Sequence, residues 1–183
     1  MKHSKKSVTL YDMCVMAIFT AAISILAQIA IPLPSGVPFT LQTFAITLAA
    51  IILGAKNGTI AILVYLLLGA VGIPVFSGFK GGLQAFVGPT GGFLLSFPFM
   101  TLCIGYGADH SSKKGLYISL LIIGNILNYS IAVFVYHMIM SVSIPTALFT
   151  CVVPFVPSTI ISAVLASVIG FNIKKRLSSY RIS

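Results

Sequence analysis

The sequence predicts an all-α integral membrane protein with six transmembrane helices, and three observations favour this prediction. Of the 183 residues, 58% are hydrophobic and only 7% are charged, whereas a soluble domain is about 25% charged. The mean hydropathy is +1.09. The apolar residues are collected into runs of about 17 to 25 residues, the length that an α-helix needs to cross a bilayer. We therefore expect a single membrane domain over residues 1–183.

In chain order, the predicted spans are residues 11–31, 38–54, 57–73, 91–108, 116–140 and 157–173. The first span follows a basic start that is typical of a signal peptide. Its apolar run continues to Ile31 without a convincing small-residue cleavage site, so we expect this span to be retained. The second and third spans are short enough to form a re-entrant hairpin instead. That alternative would place Lys56 inside the bilayer, where charge is costly, so two full spans are favoured.

Three prolines determine how the last apolar stretch is divided. Pro145, Pro154 and Pro157 lie within it, and an interior proline removes a backbone hydrogen bond and clashes with the preceding turn. A single helix over residues 144–173 is therefore not expected. Pro157 followed by hydroxyl side chains is typical of a helix start, so residues 157–173 are predicted to cross. Residues 144–156 are predicted to form an apolar cap on the outer face.

The positive charges are distributed unevenly between the two sides of the predicted membrane. Under the six-span prediction, ten cations lie on the side of the termini and only Lys80 lies on the other side. The ten are Lys2, Lys5, Lys6, Lys56, Lys113, Lys114, Lys174, Lys175, Arg176 and Arg181. An excess of Lys and Arg marks the cytoplasmic side. We therefore expect a multi-pass protein of the cell membrane with both termini in the cytoplasm and with residues 32–37, 74–90 and about 141–156 facing outward.

The acidic residues and the motifs exclude several function classes. Asp12 and Asp109 are the only two acidic residues, too few for paired-acid catalysis or for a cage of oxygen ligands around a hard metal. The sequence has no zinc-binding or nucleotide-binding motif. We therefore expect no enzyme activity, no catalytic residue, no metal and no cofactor. The cations lie in short gaps between spans, so the expected surroundings are membrane lipid and not nucleic acid.

Glycines and polar residues gather in two outer loops and on one helix. Seven of the sixteen glycines fall within residues 72–93, and glycine lets a backbone turn with positive φ and approach a ligand closely. On the fifth span, Asn125, Asn128, Tyr129 and Tyr136 share one face when each residue advances about 100°. These features predict a ligand cavity in the outer half. Two alternatives stay open: a tightly packed loop, and polar side chains that join helices.

Several motifs together resemble one family of membrane proteins. They are VPFTLQTF at 37–44, GIPVFSGFKGG at 72–82, GPTGGF at 88–93, G-N-x-x-x-Y at Gly124, Asn125 and Tyr129, and A-x-x-x-A at Ala17 and Ala21. With them the chain resembles the BioY family, the biotin-specific S components of energy-coupling-factor (ECF) vitamin transporters. The resemblance implies an S-component-like bundle that captures biotin from outside the cell. It also implies that Ala17 and Ala21 dock on a transmembrane coupling subunit driven by two ATPase subunits, although internal packing is an alternative for this pair.

The chain departs from the family pattern at three positions. Where the family has Pro-Gly-Asp-x-x-Lys at the start of the last span, this chain has Thr159 and Ser162 in place of the Asp and the Lys. Where the family has Tyr after G-P-T-G-G, it has Phe93. Losing both charges keeps the predicted pocket neutral and suits a less polar head group. Biotin is therefore the first expectation, a biotin-like acid such as lipoate the second, and a stand-alone transporter the alternative mechanism.

The outer loops, the polar stripe and the resemblance together give the predicted substrate site. Its residues are Phe39, Thr40, Gln42, Phe76, Lys80, Thr90, Gly91, Asn125, Tyr129, Ser158, Thr159 and Ser162. Both candidate vitamins carry a carboxylate, and two partners for it stay open. One is Lys80, which the alternative reading treats as a solvated loop lysine. The other is the start of the last helix, where Ser158, Thr159 and free backbone N–H groups can act as donors.

Overall fold

The computed structural model describes residues 9–180, and its framework is helical. The elements are α1 (Leu10–Gln28), β1 (Ala30–Ile31), β2 (Phe39–Thr40), α2 (Gln42–Ala70), a 3-10 helix (Leu83–Ala85), α3 (Gly91–Asp109), α4 (Lys114–Met140), α5 (Ile144–Cys151) and α6 (Val156–Tyr180). Within the described residues, five of these helices, all except α5, are long and apolar enough to cross a membrane. Lys2, Lys5, Lys6 and Arg181 of the charge count lie outside the described residues.

The helix α2 is a hairpin of two helical segments. Gly54 has φ 77° and ψ −176°, a conformation that breaks the helix. Gln42 and Tyr65, placed almost symmetrically about Gly54, meet through a 2.7 Å hydrogen bond between Nε2 and the hydroxyl. A Cβ built on Gly58 would lie 3.4 Å from Cα of Ala50, so the two segments are in close contact. Residues 42–53 and 55–70 therefore run antiparallel, and the prediction of six membrane-crossing segments agrees with this fold.

An ionic contact fixes the corner of the hairpin to one end of the bundle. Asp109, the last residue of α3, accepts the N–H of Ala55 at 2.9 Å through Oδ2. Its Oδ1 lies 3.0 Å from Nζ of Lys174 on α6, and Lys174 also donates to the carbonyl of Ala108 at 3.2 Å. Because the corner lies beside the last residue of a full-length helix, the hairpin reaches the end of the bundle. Lys56 follows directly and belongs to the same end.

The buried core joins α1, both segments of α2, and α3. Ile23, Ile46, Tyr65, Met100 and Ile104 are each fully buried in it. Small residues allow the helices to approach closely, as is typical of membrane proteins. Gly92 of α3 is an example, because a Cβ there would lie 2.7 Å from Cα of Ala132 on α4.

Several predicted boundaries are wrong by a few residues, each for a local reason. The first helix ends at Gln28 and not at residue 31, because residues 30–31 pair with residues 39–40 as an antiparallel strand. The second span begins at Gln42 and not at residue 38, and the third ends at Ala70 and not at residue 73. The last helix begins at Val156 and continues to Tyr180, beyond residue 173.

The segment predicted as an apolar cap contains a helix of its own. Residues 144–151 form α5, and the N-cap residue Ser143, just before it, accepts the N–H of Thr146 through its hydroxyl. The buried residues of this region are Val37, Tyr136, Ala147, Cys151 and Phe155, which form a separate apolar cluster. The cluster links the loop before β2 to the turn before α6.

Candidate ligand-binding site

A cavity of about 70 Å³ lies between the two glycine-rich or proline-rich loops and the facing sides of α4 and α6. Ten of the twelve predicted substrate residues line it: Thr40, Gln42, Phe76, Lys80, Thr90, Asn125, Tyr129, Ser158, Thr159 and Ser162. The other two lie just behind its wall. Phe39 stacks on the lining residue Phe155 with ring centroids 6.3 Å apart. Gly91 is buried where α3 begins, and a Cβ there would collide with the carbonyl of Phe86.

The loop over residues 76–80 forms one wall and the mouth. The ring of Phe76 is 3% exposed and makes edge-to-face contacts with Tyr65 at 5.5 Å and with Phe86 at 5.6 Å. The backbones of Phe76 and Lys80 exchange two hydrogen bonds, from Phe76 N–H to Lys80 at 2.9 Å and from Lys80 N–H to Phe76 at 3.2 Å. The buried ring therefore anchors the turn, and Lys80 lies exposed at the mouth.

Gln42 is held in one orientation on the inner side of the cavity. Its side chain is 6% exposed, and Nε2 donates to the hydroxyl of Tyr65 at 2.7 Å. That hydroxyl donates in turn to the carbonyl of Val75 at 3.3 Å. A carbonyl can only accept, so the tyrosine proton is committed to Val75, and Gln42 must present its NH₂ group to Tyr65. The acceptor Oε1 is thereby left as the atom that a ligand can use.

Hydroxyl and amide groups connect α4 and α6 along the opposite wall. The Tyr129 hydroxyl and Oγ1 of Thr159 lie 2.6 Å apart, and Nδ2 of Asn125 donates to the carbonyl of Leu121 at 2.8 Å. The ring of Phe93 contacts Tyr129 at 6.4 Å between centroids. Phe93 therefore supplies an apolar surface and no hydroxyl.

The first turn of α6 has fewer free donors than we predicted from the sequence. Pro157 has no N–H, and the N–H groups of Val156 and Thr159 donate to the carbonyls of Val152 and Phe155 at 3.0 and 2.9 Å. The hydroxyl of Ser158 also donates to Phe155, at 2.7 Å. The preceding turn thus satisfies groups that were expected to be open, which weakens this helix start as an anion site.

The polar stripe on α4 separates into two groups. Asn128 lines the cavity, but it joins helices there, because Oδ1 accepts the hydroxyl proton of Ser96 at 3.1 Å and Nδ2 lies 3.0 Å from Sδ of Met100. Tyr136 lies in the cap cluster instead, and its hydroxyl donates to the carbonyl of Ser35 at 3.0 Å. The alternative interpretation, in which polar side chains join parts of the protein and do not contact a ligand, therefore applies to Asn128 and Tyr136.

The cavity is also lined by ten residues that are not among the twelve predicted substrate residues. They are Val37, Pro38, Thr43, Ser77, Ala85, Phe93, Leu94, Phe97, Asn128 and Phe155. Most lie within two residues of a predicted one, so the loop motifs were a usable signal. Phe155 had no such signal, because its place depends on the fold of the cap.

The electrostatics of the cavity are simple. Among the lining residues that the structure describes, Lys80 alone carries a charge, and the other polar groups are hydroxyls and amides. Within residues 9–180, no group of three or more His, Cys, Asp or Glu could hold a metal ion. This arrangement suits a small, partly apolar ligand with neutral hydrogen-bonding groups and one negative charge near the mouth.

The alanine pair of α1 does not line the cavity. Ala17 and Ala21 are exposed, whereas Thr20, Ile23 and Ala27 are buried against the bundle. Internal packing therefore does not account for the pair, and the face is open to lipid or to another helix.

Comparison with known proteins gives consistent matches. The model of the BioY family matches residues 1–179. The biotin transporter BioY of Thermotoga maritima is 43% identical over 158 residues, which cover 86% of this chain and 92% of that protein. The biotin transporter BioY2 of Lactococcus lactis subsp. cremoris is 38% identical over 170 residues, covering 92% of this chain and 93% of that one. A crystal structure of the S-component for biotin from an ECF-type ABC transporter matches with a TM-score of 0.82 and 29% identity, covering 96% and 95% of the two chains.

Proposed function

Because the chain belongs to the BioY family, we propose that it is the substrate-binding S component of an ECF-type transporter and that it captures biotin from outside the cell. The observation that carries this proposal is the family match over nearly the whole chain, supported by relatives that are named as biotin transporters. These matches favour biotin over lipoate, and an S component over a stand-alone transporter. The protein is a multi-pass membrane protein that binds and delivers a substrate, and it is not an enzyme.

The cavity can recognise the ureido ring of biotin without a charged residue. That ring has two N–H donors and a carbonyl acceptor. The acceptors Oε1 of Gln42 and Oδ1 of Asn125 are suited to the two donors, because the bond that each NH₂ group donates within the protein fixes the orientation of the amide. The hydroxyl pair of Tyr129 and Thr159 shares two protons and can donate one to the ring carbonyl. Neutral groups therefore replace the charged pair of the family pattern.

The carboxylate of biotin pairs with Lys80 in this proposal. Lys80 lies at the mouth, on a turn whose backbone is fixed by Phe76. The competing partner, the first turn of α6, has already used the Ser158 hydroxyl and the Thr159 N–H within its own turn. An anion in a partly buried site needs a cation or several donors, and Lys80 supplies the cation.

The cavity must open to admit biotin. Its volume of about 70 Å³ is well below the roughly 300 to 1,000 Å³ of pockets that hold small molecules. The structure therefore corresponds to a closed state in this proposal, and the loop at residues 76–80 and the cap are the elements that would move.

We place both termini in the cytoplasm and the cavity on the outer face. The cations at the corner after Gly54, in the turn at residues 110–113 and around Lys174 support this, because they lie at the end of the bundle opposite Lys80. The exposed pair Ala17 and Ala21 then faces a helix of the transmembrane coupling subunit, which works with two ATPase subunits.

Biotin binding to the purified protein in detergent tests the proposal. Isothermal titration should give saturable binding, and the melting temperature should rise, because a ligand at 100 times its dissociation constant stabilises by about 2.7 kcal/mol. Lipoate at the same concentration should bind more weakly. Saturable binding of lipoate without any response to biotin would overturn the assignment.

A second experiment tests the transport mechanism. The protein should drive biotin uptake into proteoliposomes only when an energy-coupling module and ATP are present. Uptake of the same extent by the protein alone would show a stand-alone transporter.

A further inference from the structure

Gln28, the last residue of α1, connects that helix to the loop over residues 76–80. Its Nε2 donates to the carbonyl of Ser24 at 3.0 Å and to the carbonyl of Val75 at 3.2 Å. Its Oε1 accepts the backbone N–H of Phe79 at 2.8 Å. One amide thus contacts the loop at two points, just before Phe76 and just before Lys80.

The orientation of this amide is determined by its partners. The carbonyls of Ser24 and Val75 can only accept, and the N–H of Phe79 can only donate. Exchanging O and N of the Gln28 side chain would set two donors against each other on one side and two acceptors on the other. The side chain of Gln28 therefore fits the loop in one way only.

Two backbone hydrogen bonds between Phe76 and Lys80 close the loop at its base, and the contact with Gln28 is made at its tip. Phe79 has φ 55°, a left-handed conformation that is unusual for a residue other than glycine. Its ring is 72% exposed, so side-chain packing does not hold the backbone there. The N–H of Phe79 is oriented toward Gln28 in this conformation, and the bond to Oε1 is the contact that fixes it.

The same contact reaches the inner side of the cavity. The carbonyl of Val75 accepts from Gln28 and also from the Tyr65 hydroxyl, and Tyr65 accepts from Gln42. Gln28 itself does not line the cavity, whereas Gln42, Phe76 and Lys80 do. A continuous series of hydrogen bonds therefore runs from the end of α1 to two sides of the cavity.

We propose that Gln28 is a positioning residue for the biotin site, which acts by holding residues 76–80, and Lys80 among them, in the geometry that binds the vitamin. The proposal rests on the proposed function for its ligand, but the state of the loop can be measured without any ligand. It also gives α1, the helix with the exposed alanine pair, a direct contact with the loop that carries Phe76 and Lys80.

The test compares Gln28→Met, which keeps the length and removes every hydrogen bond, with Gln84→Met as the matched control. Gln84 is exposed, does not line the cavity, and its side chain donates to the carbonyl of Gly81 in its own turn at 2.6 Å. Hydrogen–deuterium exchange of the peptide covering residues 76–82 is measured first, without ligand. We expect exchange at Phe79 and Lys80 to be about tenfold faster in Gln28→Met, as for loss of about one hydrogen bond, and unchanged in the control.

Biotin affinity is then measured in a double-mutant cycle with Lys80→Met. If Gln28 acts by positioning Lys80, its substitution should weaken binding about tenfold when Lys80 is present and by much less when it is absent. Equal weakening in both backgrounds would mean a general structural effect and would overturn the proposal. Unchanged exchange in the loop would also overturn the proposal, whatever the biotin affinities are.

Two further results separate the possible failures. If the wild-type protein does not bind biotin, the proposed function fails, while the exchange measurement still decides the role of Gln28. If Gln28→Met does not fold, Gln28→Glu replaces it, because glutamate keeps an acceptor for Phe79 and loses the donors to Val75 and Ser24. In Gln28→Glu, exchange should then rise more at the end of the loop next to Val75 than at Phe79. Exchange as slow as in the wild type throughout the loop would contradict the proposal.

Discussion

Replacing Lys80 by methionine should weaken binding of biotin and leave binding of biotin amide nearly unchanged. The substitution removes the charge of the cavity mouth and keeps most of the side-chain length. It leaves intact the two backbone hydrogen bonds between Lys80 and Phe76, so the turn should keep its shape. Any difference between the acid and the amide therefore reports on the charge.

The size of the effect follows from the exposure of the mouth. Two unit charges about 4 Å apart attract by about 1 kcal/mol in water and about 4 kcal/mol in surroundings typical of a protein surface. Part of this attraction is lost because Lys80 is exposed and gives up hydration on pairing. Hydrogen bonds to charged groups contribute about 1.5 to 3 kcal/mol, so we expect a loss near 1 to 3 kcal/mol. That corresponds to roughly 5-fold to 150-fold weaker binding of the acid.

Isothermal titration of both ligands to both proteins measures this difference. Lys56→Met is the matched control, because Lys56 is also exposed but lies beside the hairpin corner at the other end of the bundle. Its affinity for the acid should equal that of the wild type. If Lys80→Met binds the acid as tightly as the wild type does, Lys80 is eliminated and the carboxylate is assigned to Ser158 and Thr159.

Two further predictions concern other parts of the molecule. Replacing Ala17 and Ala21 together by tryptophan should abolish uptake by the complete transporter and preserve biotin binding by the isolated protein, because only the approach of a partner helix is blocked; loss of binding in the same variant would contradict this. Gly54→Ala should lower stability by about 1 to 3 kcal/mol in thermal unfolding, since φ is 77° and a Cβ would collide with the Asp109 carboxylate. Gly115→Ala is its control, with no atom within 4 Å of the added Cβ, and equal melting temperatures for the two variants would refute the reasoning.

The sequence could predict the number of spans but not how two of them are joined. Lys56 between two apolar runs indicated a turn, because charge is costly in a bilayer. The turn itself lies at Gly54, and it is stabilised by a hydrogen bond from Ala55 to Asp109, 54 residues further along the chain. No local pattern contains that information.

The candidate site shows the same division between local and distant signals. The glycine-rich loop motifs placed Phe76, Lys80 and Thr90 at one cavity, and the structure brings them together. Gln28 gave no signal, because its role depends on Val75, 47 residues away. Helical periodicity, moreover, gives the face of a residue and not its depth. Tyr136 shares a face with Asn125 but lies 11 residues further along α4, about 16 Å at 1.5 Å per residue, and so reaches the cap.

The packing of the bundle indicates where the cavity can open most easily. In α3, 61% of an apolar stretch of 18 residues is buried inside the protein, compared with 11% of the corresponding stretch in α6. The helices α4 and α6 are joined by two hydroxyl pairs, each at 2.6 Å: Tyr129 with Thr159 at the cavity, and Tyr117 with Ser167 away from it. Neutral hydrogen bonds contribute about 0.5 to 1.5 kcal/mol each, so separating the pair at the cavity costs about that much. Disturbing the core between α2 and α3 would expose fully buried side chains at about 1.5 to 3 kcal/mol each. Because Tyr129 and Thr159 also line the cavity, separating this pair would enlarge the site. Ala166, further along α6, is fully buried in the core, so the opening is confined to the first turns of α6, next to the cap, and the core stays intact.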